Sequence, residues 1–465
     1  MTMPPRTHPR TTLPRPSALL GALALALAAL IGTTAAQASD PVARTTPGGV
    51  PYLHVALPDA AYGTIVLTWP NTHALERPGR EGLLSLAPPL MGERIAGEPM
   101  RTLGEALQDE RQGFVLTNSL FETRLALVSE RTGDDAFSRV SEVAADMLVR
   151  ADLAPEDLAR LQRNVLDNLA AGERNPAFMA ERALGALVGA GDPRLAALSN
   201  RPPRTVEAVT REDVAAWRDA VFDRRPIAVA AGPQPLAAME AAIDAVLAPL
   251  PDESAASPEP KPADWRNLGE TVVVEAPEAT QAIVLAAIAT PAHHLYDRML
   301  VGALAGGPGS ILFEALRTRL GAAYDVGLRV YPITPDQALV GFGAPVPPER
   351  AAEVVAAMRE TFASLAEEIS PDVFARATAR EAQALAQAAG DPNAQVQAIL
   401  ARRAEGLDGG VAAMAEALEG LNVEAFAAYL AEVFATPATV AVVTPEPGAF
   451  GEACIVTVPE EAAVC

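Results

Sequence analysis

Apolar residues recur along this chain in two registers. From Tyr52 to Ala56 and from Ala61 to Trp69 they form short runs rich in β-branched side chains, which predict strands. From Asp135 to Arg150 and from Pro155 to Ala171 they return every three or four positions, which predicts amphipathic helices. The later part of the chain follows the same plan. Glu270 to Val274 and Ala282 to Ile288 predict strands, and helices follow from Arg298 and from Pro348. Long helices mixed with short strands predict an α+β protein: two α/β sandwich domains, each a mainly antiparallel sheet with helices over one face.

The stretch from Pro251 to Pro262 is rich in Pro, Ser and charge and cannot hold a helix or a central strand. It separates an N-terminal domain, 39–250, from a C-terminal domain, 266–450, through a linker, 251–265, and leaves a tail, 451–465. The two halves repeat one another. Thr205 to Phe222 aligns without gaps on Ala417 to Phe434, matching Val209 to Leu421, Glu212 to Glu424, Trp217 to Tyr429 and Phe222 to Phe434. Upstream, Leu153 to Arg160 resembles Ile369 to Arg376, each with Pro in the first turn of a predicted helix. Both 18-residue blocks run into β-rich segments, Pro226 to Ala231 and Ala438 to Val443. A duplication explains two blocks that agree in order and spacing.

Ahead of the first domain, Arg6, Arg10 and Arg15 precede an apolar run from Leu19 to Ile31 and the small-x-small triplet Ala36-Gln37-Ala38, the layout of a signal peptide, 1–38. The run is shorter than the roughly 20 residues that span a bilayer, so the expectation is an exported, periplasmic protein; a retained leader would leave it membrane-associated. The net charge is −22, and cleavage of three arginines would make the mature chain more acidic still, which argues against nucleic acid as a partner. Cys454 and Cys465 are the two cysteines. Their place near the C-terminus of an exported chain suits a small terminal disulfide, and two cysteines are too few for a structural zinc site.

Gly82-Leu83-Leu84-Ser85-Leu86-Ala87-Pro88-Pro89 resembles, in its flanks, the Gly-Leu-x-H-x-x-E-H segment of the pitrilysin and insulinase zinc metallopeptidases. In that family two histidines one turn apart bind zinc and the glutamate activates water. Ser85 and Pro89 stand at the ligand positions here and Pro88 at that of the general base, so the motif is degenerate. Gly104 to Leu107 and Gly113 to Ser119 continue the resemblance through a helix and a strand. The third ligand, a glutamate on a later helix, corresponds nearest to Asp167, with Asn168 beside it. Of the five histidines, His8 lies in the leader, His54 and His73 are far apart, and His293 and His294 are adjacent, a poor chelate on a strand. No metal is expected in this chain.

Gly306-Gly307-Pro308-Gly309-Ser310, the helix after it, and Arg317 and Tyr324 look like the same family's glycine-rich loop and the Arg and Tyr that reach the active site from the C-terminal domain. A guanidinium can fork hydrogen bonds to a peptide carbonyl or carboxylate, and a phenol can donate to a developing oxyanion. No Gly-Lys-Ser/Thr follows the glycines, which argues against a nucleotide loop. The resemblance spans the chain from the strands near Tyr52 to the strand near Val443. It implies a non-catalytic, substrate-binding subunit of a heteromeric zinc metallopeptidase, with zinc only in a similar-sized partner subunit and an unfolded peptide as the shared ligand. A hetero-oligomer or homodimer follows, and an inactive scaffold or peptide-binding protein of the same fold is the alternative.

Overall fold

Strands β1 (Val42–Thr45), β2 (Pro51–Ala56) and β3 (Gly63–Pro70) lead into helix α1 (Leu83–Met91), then β4 (Gln112–Asn118) and β5 (Glu122–Ser129). Five helices follow: α2 (Ser138–Arg150), α3 (Pro155–Gly172), α4 (Pro176–Gly189), the short α5 (Pro203–Glu207) and α6 (Arg211–Phe222). Strand β6 (Ile227–Gly232) and helix α7 (Leu236–Leu247) close the first half. The second half runs β7 (Thr271–Glu275), β8 (Ala282–Pro291), α8 (His294–Ala305), α9 (Ile311–Phe313), β9 (Gly327–Thr334) and β10 (Gln337–Val346). Helices α10 (Ala351–Glu368), α11 (Pro371–Ala388), α12 (Pro392–Ala404), α13 (Val411–Glu419) and α14 (Val423–Val433) precede β11 (Thr439–Thr444) and β12 (Cys454–Val456). This computed structural model describes residues 40–465 apart from 71, 73–78, 81, 97–106, 108–110, 120, 190–202, 252–261, 292–293, 306, 324–325 and 335–336. The leader, Gly104 to Ala106, His73, His293 and most of the predicted linker lie outside the described residues.

Each half builds a six-stranded sheet, β1-β2-β6-β3-β5-β4 and β12-β7-β11-β8-β10-β9, in which five strands correspond and the sixth differs: β1 joins antiparallel to β2, whereas β12, from after the last shared strand, joins parallel to β7. Most neighbours are antiparallel, while β2 with β6, β7 with β11 and β12 with β7 are parallel. The aligned blocks fall on α6 and α14, and both start alike: the Thr210 side chain accepts from the Asp213 amide and that of Asn422 from the Ala425 amide. A cap at this position satisfies one of the amides a helix start leaves unpaired. Pro155 and Pro371 each open a helix, where a missing N–H costs nothing.

Helices cover both faces of each sheet rather than the one face expected, because the halves exchange helices. Ile65, Leu67 and Trp69 of β3 face the first half's own helices. Val66, on the opposite face, packs with Val55 and Val229 against Val396, Ile399 and Leu400 of α12, from the second half. The reverse holds for the other sheet. Leu285, Ala287, Ala441 and Val443 pack against Ala183, Leu184, Leu187 and Val188 of α4, from the first half. Strands buried on both sides lose the alternation of a half-exposed sheet, which is why β3, β6 and β11 read as near-continuous apolar runs. Burial of Leu184, Leu187 and Val188 on α4 contributes about 2 kcal/mol each, and such packing rather than helix propensity holds the helix. The second half also caps it: the Arg266 amide donates to Val188 O at 2.9 Å and Asn267 Nδ2 to Leu187 O at 3.2 Å.

The predicted tail, 451–465, is ordered into the fold. Strand β12 adds to the edge of the second sheet parallel to β7, and a 3-10 turn, Pro459–Val464, packs on α4. Cys454 and Cys465 are joined in a disulfide.

Candidate functional site

Helix α1 holds the segment whose flanks resemble the zinc motif, and it forms despite two interior prolines, Pro88 and Pro89. A proline at these positions cannot donate to the carbonyl four residues earlier and crowds it. Leu84 and Ser85 are the residues whose carbonyls lose those donors. Asn118 Nδ2, on the neighbouring β4, reaches toward Leu84 O at 3.5 Å. What holds the helix is burial: Leu83, Leu84, Leu86, Ala87, Leu90 and Met91 are all buried. Ser85 is half-buried with its Oγ shielded and without a hydrogen-bond partner, Pro88 is buried and Pro89 exposed. Asp167 and Asn168 are exposed on α3. These residues do not fit zinc: no imidazole is present, and neither Pro88 nor Pro89 can supply a ligand or a base. Among the described residues no three His, Cys, Asp or Glu side chains gather as a metal site would require.

Ion pairs fasten this region instead. Arg94, just past α1, pairs with the buried Asp157 at the start of α3 at 3.0 Å, and Arg160 pairs with Glu93 at 2.8 Å and Asp157 at 3.3 Å. Hydrogen bonds to Glu93 and then Asp157 push the Arg160 guanidinium above its usual range. His54, on β2, lies elsewhere, beside Arg44 and Glu240; burial first, then Arg44, holds its imidazole below the ordinary histidine range, and its Nε2 has no partner.

The glycine-rich loop is held on every side. Gly307 and Gly309 take φ values of +90° and +82°, which only glycine adopts without strain. Ser310 Oγ donates to Gly307 O at 2.6 Å, and the Gly309 amide donates to Glu314 at 3.1 Å. From α11, Arg376 donates to Gly309 O at 3.1 Å, while Arg380 donates to Gly302 O at 3.0 Å and Pro308 O at 3.2 Å. A carboxylate already occupies the Gly309 amide that a phosphate would use. Sequence reasoning missed Arg376 and Arg380 as loop holders; nothing in their helical spacing points at a loop more than 60 residues earlier.

Beyond the loop, α9 passes into a π-helical turn, Glu314–Arg319, in which the Leu320 amide donates five residues back to Ala315 O at 3.1 Å. Arg317 sits on this turn, exposed, with its guanidinium 5.0 Å from the Phe313 ring centre. Such turns recur at functional sites. Arg350 Nη2 donates to Leu320 O at 3.0 Å and fixes the end of the turn. Gly306 and Tyr324 lie outside the described residues.

The sheet edges differ in how they meet solvent. β1 and β12 are only 4 and 3 residues long. β9 carries Arg329 and Pro332, residues that discourage strand pairing. β4 has 7 residues with neither charge nor proline, and Val115 on it is 54% exposed. Among the described strands it is the edge best suited to accept another.

Residues 208–380 match the family described as Peptidase M16 inactive domain, a stretch that holds Arg317, Arg376 and Arg380 but not α1. The fold is similar to the peptidase M16 inactive domain from Pseudomonas fluorescens, with TM-score 0.72 and 15% identity over 87% of this chain and 98% of that one. A chain of complex III2 from Candida albicans is similar at TM-score 0.66 and 15% identity, over 87% of this chain and 96% of that one. The periplasmic protease PqqL from Escherichia coli is similar at TM-score 0.68 and 13% identity, over 92% of this chain and 50% of PqqL, so the chain spans about half of that protein. At these identities the likeness establishes the fold. No curated protein matches the chain in sequence.

Proposed function

We propose that this chain, whose residues 208–380 match the Peptidase M16 inactive domain and whose fold is similar to that domain, is a non-catalytic protein of the pitrilysin type that serves as the substrate-binding subunit of a heteromeric zinc metallopeptidase. One contrast carries the reading. The helix that would hold zinc has lost every group able to do so, whereas the glycine loop is still pinned by four side chains and delivers Arg317 to an exposed turn. In this role Arg317 and Tyr324 bind the peptide in a partner's catalytic chamber, and the uncharged edge of β4 takes an extended segment by strand addition. Zinc resides in the partner, a chain of similar size. Export to the periplasm is consistent with the leader and with the periplasmic relative PqqL.

The exchanged helices bear on how such a chamber would move. With α4 locked on the second sheet and α12 on the first, opening takes place between chains, not between the halves of one chain. The test is to isolate the protein from its own envelope fraction and identify what accompanies it. Near-equal recovery of a similar-sized chain bearing H-x-x-E-H supports the reading. Arg317→Ala with Tyr324→Ala should then weaken peptide cleavage by the mixed complex at least tenfold, mainly through KM. Undiminished cleavage would defeat it. The likeness to a chain of Candida albicans complex III2 favours a second reading, a scaffold without peptidase function, and recovery with an unrelated assembly would select it.

A further inference from the structure

Arg182 is 1% exposed at the centre of α4, the helix that the first half lends to the second sheet. It lies over the Phe178 ring at 5.7 Å, meets Glu173 at 3.5 Å, and forms a close ion pair with Glu460. A buried guanidinium costs several kcal/mol unless its charge is matched. Burial depresses its proton affinity, and Glu173 pulls the other way. Glu460 belongs to the C-terminal strap, whose Val456 and Ala462 sit in the same apolar cluster as Leu184 and Leu187. The strap is otherwise slight: a three-residue strand, a 3-10 turn and the Cys454–Cys465 bond.

We propose that the strap is a redox-operated lock on α4, in which the disulfide keeps Glu460 against Arg182 and so fixes the seam between the two halves. Cys465 is exposed, and both cysteines line a surface groove of about 780 Å³ that a dithiol can enter. The thiolate of a dithiol reductant attacks the Cys465 sulfur and expels the Cys454 thiolate, which takes up a proton. The reductant's second thiol then displaces Cys465, so the strap gains two electrons and two protons while the reductant closes to its own disulfide. Opening the ring restores chain entropy to the strap, removes Glu460, and leaves Arg182 facing Glu173 alone. In a reducing compartment α4 would be loosely seated, and in an oxidising one locked.

The test takes the full chain and reads hydrogen exchange in 454–464, in 176–189 and, as reference, in 63–70, with and without dithiothreitol. In the wild type, reduction should speed exchange roughly a hundredfold in the strap, the scale of closing a ring this small, and at least tenfold in 176–189, with 63–70 unchanged. Cys454→Ser with Cys465→Ser should match the reduced protein and ignore reductant. Arg182→Met should keep the strap's response and abolish that of the helix. A strap that opens while 176–189 stays protected would overturn the proposal, as would no response, or equal acceleration in all three segments. Should Arg182→Met not fold, Glu460→Gln must loosen 176–189 without reductant, and a helix indifferent to that change is equally fatal.

Discussion

Replacing Ile399 by alanine tests the exchange of helices directly. Ile399 is fully buried on α12 and shares one apolar cluster with Val55, Val66, Val229 and Ala231, all on strands of the first half. Those neighbours sit on paired strands of one sheet, which cannot collapse into the space left behind, so the cost should be near the middle of the range for such truncations, about 3 kcal/mol. The loss should appear as roughly a hundredfold drop in hydrogen-exchange protection, and it should appear in 63–70 and 227–232 as well as in 392–404. Urea unfolding should show the same destabilisation with an unchanged slope. If the halves were independent, only 392–404 would lose protection. Unaltered exchange in 63–70 would refute the account of a shared seam, because that strand's other face packs on its own half's helices.

Two further outcomes concern α1 and His54. Pro89→Ala removes an exposed proline from inside α1 and restores a donor toward Ser85 O, so the melting temperature should rise by the equivalent of about 1–2 kcal/mol after allowing for a more flexible unfolded chain; a fall would mean that the prolines stabilise the helix. His54 has a folded-state pKa below its unfolded value, so the unfolded chain takes up a proton first as pH falls through about 6.5. Stability should be full above that pH and decline below it toward the folded value, and His54→Gln should flatten the slope of melting temperature against pH over this window. An identical slope in the variant would place the titration elsewhere.

The sequence alone determined many of the elements, the repeat and the degenerate form of the histidine motif. Strand candidates Tyr52 to Ala56 and Ala282 to Ile288 lie within β2 and β8, because hydrophobic period is a local property that burial merely enforces. The aligned blocks occupy α6 and α14 since equal cap and core positions fold equally. The absence of histidines at Ser85 and Pro89 needs no coordinates, because ligand chemistry resides in side-chain identity. Tertiary structure decided the rest. Nothing local to α4 says that it crosses to the other sheet, since an apolar face fits any apolar face, and only the strand order brings Leu285 and Val443 to it. Arg182 reads as one more charged helix residue until the strap covers it. Arg376 and Arg380 likewise look like solvated helix charges, and only the packing of α11 on the glycine loop turns them into its supports, because a hydrogen bond depends on distance in space and not along the chain.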